Sequence, residues 1–463
     1  MRIEWLTLTA LLAAGCNPKT SVGPTGQKNP LPLGTDAGSG VADAGEADAG
    51  SPDAGPSDGG WVESPHSVSA VPNEGGSALA RPIAVAITFA NDPNRAHIDA
   101  LSAFLPGSTW LKTVSPEYGI GSLGHVEVEL PQDAPSAMTD TDLQNLLQSL
   151  LASGTVPGGT PDGGAASGGA DGGGADGGGA DGGGSDAGIA DGGTMDAGIS
   201  DGGISDGGSA DAGSLGAPQY VYLFFLPVST SFTTQGQGLC SISGGGYHSE
   251  TQLTNLDVPY AVIQPCPGQG LSDVQILDLA GSHELIEALT DPYPYTNPAW
   301  VILDPQSPWS YIGGEVGDVC SYLAPQWKEG SFDDLQRVWS NRSATDGGDP
   351  CLPAVGTYFG TAISPATIVQ GQPGGSVDFQ LTGWSTAPVA DWTLQAFNGG
   401  SQGGPSFDGT PTLSSYGMND GESATLTVHV PSNAASQSYA MVIVLSGGSQ
   451  NDYTASVAMV YVP

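Results

Sequence analysis

The stretch Gly281-Ser282-His283-Glu284-Leu285-Ile286-Glu287-Ala288-Leu289-Thr290-Asp291-Pro292 limits the fold most, because it sets an imidazole and two carboxylates on a helix that is apolar nearly all round. Ser272 with Gln275 makes a capping-box pattern and Asp291-Pro292 ends helical continuation, so the helix is expected over about 273–290. At 100° per residue, His283 and Glu287 fall within about 40° of each other on one face. Ile276, Leu279 and Ile286 flank that face, and Val274, Leu277, Leu285 and Leu289 cover the others. A helix of this kind belongs inside a domain. Its buried carboxylates then need a cation, a hydrogen-bond cage or a proton. No Lys or Arg occurs between Lys112 and Lys328, so a bound divalent metal is the simplest partner.

Such a helix needs an α/β frame around it, and the chain supplies one in pieces. Pro82 to Ala90 is a β-branched apolar run, His97 to Phe104 reads as a helix, Gly124 to Leu130 alternates, and Thr141 to Leu151 is amphipathic. Tyr220 to Pro227 and Val258 to Gln264 are again buried strands. Between the two groups, residues 157–217 carry ten Asp, nine of them at a spacing of five, with no basic residue. This tract reads as a disordered Gly/Asp-rich insertion within one domain, since the closure cost of a flexible loop grows slowly with length. A calcium-binding roll is the rival for it, but such rolls repeat every nine residues or so. The domain is thus expected over 79–156 and 218–358, as an α/β (α+β) fold with a mixed sheet and a buried active-site helix. From 359 to 463 short alternating strands such as Ser376 to Leu381, Ser423 to Val430 and Ala440 to Leu445, with no helix pattern, suggest an all-β immunoglobulin-like sandwich appended to bind or to space.

The ends and the cysteines speak to location. Arg2, an apolar run from Trp5 to Ala14 and Leu12-Ala13-Ala14-Gly15-Cys16 form an export signal over 1–16 that resembles a bacterial lipobox, with Cys16 as the lipid-modified residue. Residues 17–78, rich in Gly, Pro, Ser, Ala and Asp, read as a disordered tether. The expected place is the bacterial cell envelope, on the outer membrane, facing the periplasm or the surface. Cys240, Cys266, Cys320 and Cys351 remain, an even number in an oxidising compartment. Of three connectivities, Cys240 with Cys266 and Cys320 with Cys351 close the shorter loops; a four-cysteine metal site is the rival. The formal net charge of −39, to which the insertion adds ten Asp and the stretch 36–74 eight acidic residues, argues against nucleic acid or an anionic membrane as partner.

His-Glu-x-x-Glu on a helix maps onto the zinc peptidase pattern, with His283 and Glu287 as ligands and Glu284 as general base. A third ligand is sought in Gly314-Glu315-Val316-Gly317-Asp318-Val319-Cys320, with Asp291 a weaker candidate. Taken with Ala299-Trp300, these segments resemble the S/A-H-E-L-A-E-A-x-T-N/D-P, A-W and E-I-x-D-x-C motifs of the plant phosphate-induced, or exordium, proteins and their bacterial relatives. Met138 to Leu143 and the Cys240 to His248 segment stand where that family has a T-D-A-D-I-like helix start and a C-G-x-H. The resemblance covers roughly 80–156 and 218–325. It implies a zincin-like site with Glu315 as third ligand and Asp318 supporting His283, or those two roles exchanged. His248 is carried as a ligand or substrate-orienting candidate, although Ser241 to Tyr247 separate it from Cys240.

Two functions follow. One is a surface-anchored, zinc-dependent hydrolase, most simply an endopeptidase acting on proteins or peptides. The alternative is a non-catalytic cell-surface binding or adhesion protein with a structural or relic metal site, its sandwich recognising polysaccharide or protein. His97, His125 and His429 are expected to be structural or surface groups. Trp300 and Trp309 are expected either to line a cleft or to pack.

Overall fold

A computed structural model describes residue 68 and residues 70–158, 217–253, 256–268, 270–321, 323–400, 406–449 and 452–463. The signal segment with Cys16, most of the tether and most of the Gly/Asp tract lie outside the described residues.

The α/β part is built on a five-stranded sheet in the order β2-β1-β4-β8-β7, from Pro82–Phe89 (β1), Gly124–Leu130 (β2), Gln219–Phe225 (β4), Gly246–Leu253 (β7) and Leu256–Ile263 (β8). Pairings β1 with β2, β1 with β4 and β4 with β8 are parallel, and β7 joins antiparallel to β8 as an edge strand. A small ladder of Ala137–Thr139 (β3), Ser231–Thr234 (β5) and Gln237–Gly238 (β6) lies beside it in sequence. The helices are Arg95–Phe104 (α1), Thr109–Tyr118 (α2), Asp140–Ala152 (α3), the single turn Leu239–Ile242 (α4), Asp273–Thr290 (α5) and Asn341–Thr345 (α6).

Period-two alternation sends the two halves of each central strand to different cores. Ala84, Ala86, Val221, Leu223, Phe225, Ala261 and Ile263 pack with α1, α2 and α5, whereas Val85, Ile87, Tyr222, Phe224, Tyr260 and Val262 pack with Leu143, Leu147 and Leu150 of α3. The sheet is therefore sandwiched between helices, which is why its central strands β1, β4 and β8 read as apolar runs while the edge strands β2 and β7 do not. Helix α5 has the Ser272–Gln275 capping box at its start and ends at Thr290, before Pro292.

The second part is a β-sandwich. One sheet runs β13-β15-β19-β17, from Phe359–Ser364, Ser376–Ser385, Ser423–His429 and Thr410–Leu413. The other runs β14-β21-β20-β16-β18, from Val369–Gln370, Asp452–Val462, Ser438–Ser449, Trp392–Gly400 and Gly417–Met418. The small pairs β9 with β10 (Trp327–Glu329, Phe332–Leu335) and β11 with β12 (Val338–Trp339, Cys351–Leu352) lie between the two parts of the chain.

Three expectations are corrected. The sandwich is not simply appended: Met441, Ile443, Leu445, Ala455, Val457 and Met459 belong to the same apolar cluster as Leu289, Trp309 and Ile312. Alternate residues Val442, Val444, Ala458 and Val460 face the sandwich interior, so β20 and β21 are buried on both sides and Ala440 to Leu445 is not a half-exposed alternating strand. Ala324 also bridges Tyr453 in an antiparallel pair, and Ile368 N–H donates to Gln306 O at 2.8 Å. The tether ends earlier than 78, because Val68 and Val71 are buried and Val71 exchanges two 2.8 Å hydrogen bonds with Asn341. Pro157, assigned to the insertion, accepts the Tyr222 hydroxyl at 2.7 Å and so belongs to the fold.

Candidate metal centre

Three elements converge on the buried face of α5. The helix itself contributes His283, Glu284 and Glu287, all at 5% exposure or less. Strand β7 contributes His248: its alternation turns Tyr247 toward Asp140 of α3 and His248 toward α5. The segment 313–320 contributes Glu315 and Asp318, at 2% and 1% exposure. That segment is held by a Val301–Glu315 bridge, by Trp339 N–H donating to Val316 O at 2.9 Å, and by the Cys320–Cys351 disulfide. The second disulfide joins Cys240 to Cys266, so both pairs are those that close the shorter loops.

The donor atoms approach one another closely. His283 Nε2 lies 3.3 Å from Glu287 Oε2 and 3.8 Å from Asp318 Oδ1. His248 Nδ1 lies 3.4 Å from Glu287 Oε2 and 3.8 Å from Glu284 Oε2, while its Nε2 stands 3.6 Å from Glu315 Oε1. Ligands about 2.0–2.2 Å from a tetrahedral metal are separated by roughly 3.3–3.6 Å, so these spacings resemble the edges of a coordination shell. Two donor sets, His248 with Glu284 and Glu287 and His283 with Glu287 and Asp318, each fall within 4.8 Å. The buried atoms His248 Nε2 and Glu284 Oε2 make no hydrogen bond, a costly state for polar groups out of water unless something else occupies the space. The residues therefore fit a divalent metal. Glu287 Oε1 accepts the Asp318 N–H at 3.0 Å, which orients that carboxylate.

Glycines make the approach possible. A Cβ on Gly246 would lie 2.4 Å from Glu284 Oε1, and one on Gly313, whose φ is +108°, would lie 1.8 Å from Asp318 Oδ2. The electrostatics follow from burial among acids. Burial alone would lower the His283 pKa, but Glu287, Glu284 and Asp318 outweigh it and push it up to about 10. His248 behaves likewise: burial pulls it down, and Glu315, Glu284 and Glu287 hold it well above the ordinary histidine value. Burial raises Glu284 above the usual carboxylate range. Glu287 is also buried, yet the two imidazoles hold it well below that range.

The remaining candidates have other partners. Asp291 accepts Ala299 N–H at 2.7 Å and joins neither donor set. His97 Nε2 meets Asp278 Oδ1 of α5 at 2.6 Å, and His429 Nδ1 meets Ser376 Oγ at 2.8 Å. His125, half exposed, lies 3.8 Å from Glu127. Trp309 is fully buried and Trp300 packs edge-on against Tyr118 at 5.1 Å, so both tryptophans pack rather than line a cleft. The buried Arg337 is committed to Asp349 and to the Cys351 and Pro353 carbonyls, leaving its guanidinium elsewhere. A cleft of about 420 Å³ reaches the centre from one side; it is bounded by His248, Glu315, Tyr247 and Gly313 and continues past Thr139, Thr233 and Tyr295.

No protein-family model matches this chain, and no curated protein matches it. Among solved structures, it is similar to the titin M3 domain at 15% identity, covering 23% of this chain and 95% of that one, with a TM-score of 0.15. It is similar to the twitchin kinase region of C. elegans at 10% identity over 21% of this chain and 15% of that one, TM-score 0.14. A Bacteroides ovatus GH5 xyloglucanase matches at 10% identity over 22% of this chain and 19% of that one, TM-score 0.15. Scores this low add nothing to the reading of the site.

Of the residues singled out in the sequence, the structure brings His248, His283, Glu284, Glu287, Glu315 and Asp318 together. Asp318 shares a donor set with His283 and Glu287, and Glu315 stands against His248. Gly246 and Gly317 were missed; the signal available was a small residue beside each acid or imidazole.

Proposed function

We propose that this chain is a zincin-like, metal-dependent hydrolase, most simply an endopeptidase, held at the cell envelope by lipid on Cys16. The observation that carries it is Glu284: next to one donor residue and one turn from another, buried, its Oε2 without a hydrogen bond and its pKa raised by burial. A carboxylate so held is suited to take a proton from water and return it to a leaving amine. A bound Zn²⁺ would supply Lewis acidity toward a substrate carbonyl and lower the pKa of water.

The chain's own residues have separable tasks. His283, Glu287 and Asp318 would hold the metal, with Glu287 oriented by the Asp318 backbone. His248 and Glu315 border the cleft, His248 placed to ligate metal or orient the substrate and Glu315 to hydrogen-bond it. Strand β7 is a sheet edge and its Tyr247, His248 and Ser249 line the cleft, which suits an extended peptide added as a further strand. Among the described residues no Lys or Arg lines that cleft, whereas Asp140 and Glu315 do, so a neutral or cationic substrate is favoured over an anionic one. The likeness to the phosphate-induced family and an envelope location rest on the sequence; two disulfides agree with an oxidising compartment.

A purely structural metal site is the second reading, favoured by one observation: the cleft touches His248 and Glu315 but not His283, Glu284 or Glu287. Glu284→Gln separates the two. Under the hydrolase reading it lowers peptide cleavage by about 10²–10⁴-fold while metal stays bound at His283, Glu287 and Asp318 and the fold is kept. A metal-loaded wild-type chain that cleaves no member of a peptide library removes the catalytic reading.

A further inference from the structure

We propose that the centre takes two divalent cations, with Glu287 as the carboxylate shared between them; this rests on the metal-binding reading above and deepens it. The geometry divides into two donor sets with one common member. His283 and Asp318 lie on one side, His248 and Glu284 on the other, and Glu287 belongs to both. A single oxygen, Glu287 Oε2, stands 3.3 Å from His283 Nε2 and 3.4 Å from His248 Nδ1. Paired sites bridged by a carboxylate hold their metals about 3.5–4 Å apart, a separation that one shared carboxylate can span.

Charge points the same way. Glu284, Glu287, Glu315 and Asp318 are four acidic side chains, each at 3% exposure or less. His248 and His283 stand within 4 Å of these acids, and the buried guanidinium of Arg337 is bound to Asp349. One divalent cation with neutral imidazoles brings two positive charges to these four acids, and burial favours a closer balance of charge. Two divalent cations balance all four. Ligand chemistry is also suitable, since carboxylates with two imidazoles suit Zn²⁺, Mn²⁺ and Fe²⁺.

The two positions differ in surroundings. His248 presents Nδ1 to Glu284 and Glu287, while its Nε2 faces Glu315 on the cleft side at 3.6 Å. The cleft reaches His248 and Glu315 and not His283. The His248 position would therefore be the one that meets substrate, and the His283 position the enclosed one.

The test uses the full chain, stripped with a chelator and reloaded with Zn²⁺ or Mn²⁺. Metal per chain is measured by elemental analysis, and the Mn²⁺ form by electron paramagnetic resonance. A chain carrying both His248→Gln and His283→Gln gives the background due to the acidic tract. The expected result is two cations per chain above that background and an exchange-coupled Mn²⁺ spectrum. His248→Gln and Asp318→Asn should each keep one cation, and Glu287→Gln should weaken both by about 100-fold. Saturation at one cation with an uncoupled spectrum overturns the paired site while leaving the metal-binding reading intact. No binding above background overturns both. Should a variant fail to fold, wild-type stoichiometry and spin coupling still decide.

Discussion

Gly317 carries no side chain, and its backbone gives no reason for that: its φ is −74°, open to any residue. The reason is space, since a Cβ there would lie 2.7 Å from Glu287 Oε1 and 3.0 Å from His283 Nδ1. Gly317→Ala is expected to lower metal affinity about 10–100-fold by displacing those groups, at a cost of about 1–3 kcal/mol in metal-free stability. Competition against a chromophoric chelator measures it, and unchanged affinity would show the carboxylate free to move. The imidazoles give a second prediction. With its folded pKa raised from 6.5 to about 10, His283 favours the protonated folded state in metal-free protein. That stability is fully present below about 6.5 and is lost as pH rises toward about 10, so the melting temperature of chelator-treated protein should fall across this window. His283→Gln should flatten the fall. Metal competes with the same protons, so metal affinity should weaken as pH drops. Spacing along one helix made His283, Glu284 and Glu287 legible in the sequence. The side of the sheet that His248 faces was not, because it depends on strand register, and the glycine at 317 reports a neighbour distant in sequence.

Among the elements, α5 was legible end to end because its stop and start are local: Ser272 and Gln275 satisfy the first backbone donors, and Asp291-Pro292 ends the run. Helix α2 was not, since Pro116 sits inside it and suggests a break. Strand β7 was not read either, as Gly246–Leu253 is polar and its place comes from pairing with β8. The 313–320 segment has little regular structure, only the 3₁₀ turn Asp318–Cys320, so its geometry relies on tethers. One is Gln336, whose amide donates to Gly317 O at 2.6 Å while its backbone N–H donates to Ser282 of α5 at 2.9 Å. Another is the Cys320–Cys351 disulfide, which closes a separation of 31 residues. Cys320→Ser with Cys351→Ser should cost about 2–4 kcal/mol of stability and also weaken metal binding, because Asp318 is two residues from the bridge. Breaking Cys240–Cys266 should cost comparable stability with a smaller effect on metal affinity, since it restrains no residue of the His283 set. Equal losses of affinity in the two variants would show that the bridge does not position the site.

At the scale of the whole molecule, the doubly buried strands β20 and β21 decide how the two parts respond to the metal. The sequence did carry that information, for Met441, Ile443 and Leu445 are apolar where a strand with one wet face would be polar. It reads as docking only once the partner surface is known, and that surface is assembled from residues as distant as Leu289 and Trp309. Since one apolar cluster includes α5, the segment after it and one face of the sandwich sheet, separating the parts would expose that face to water. The described chain should therefore unfold in one cooperative transition rather than two. Binding that favours the folded state adds RT ln(1 + [L]/Kd), about 4 kcal/mol at free metal a thousand times Kd. Removing the metal should lower the melting temperature of the sandwich together with that of the α/β part, although the sandwich holds none of the donor residues. Hydrogen exchange followed over the strands of 359–462 along the melt can report the sandwich while far-ultraviolet dichroism reports the helices of the other part. Coincident transitions that shift together on chelation are the expected outcome. A sandwich signal that stays in place while the helical signal moves would mean that the shared apolar cluster does not couple the two parts.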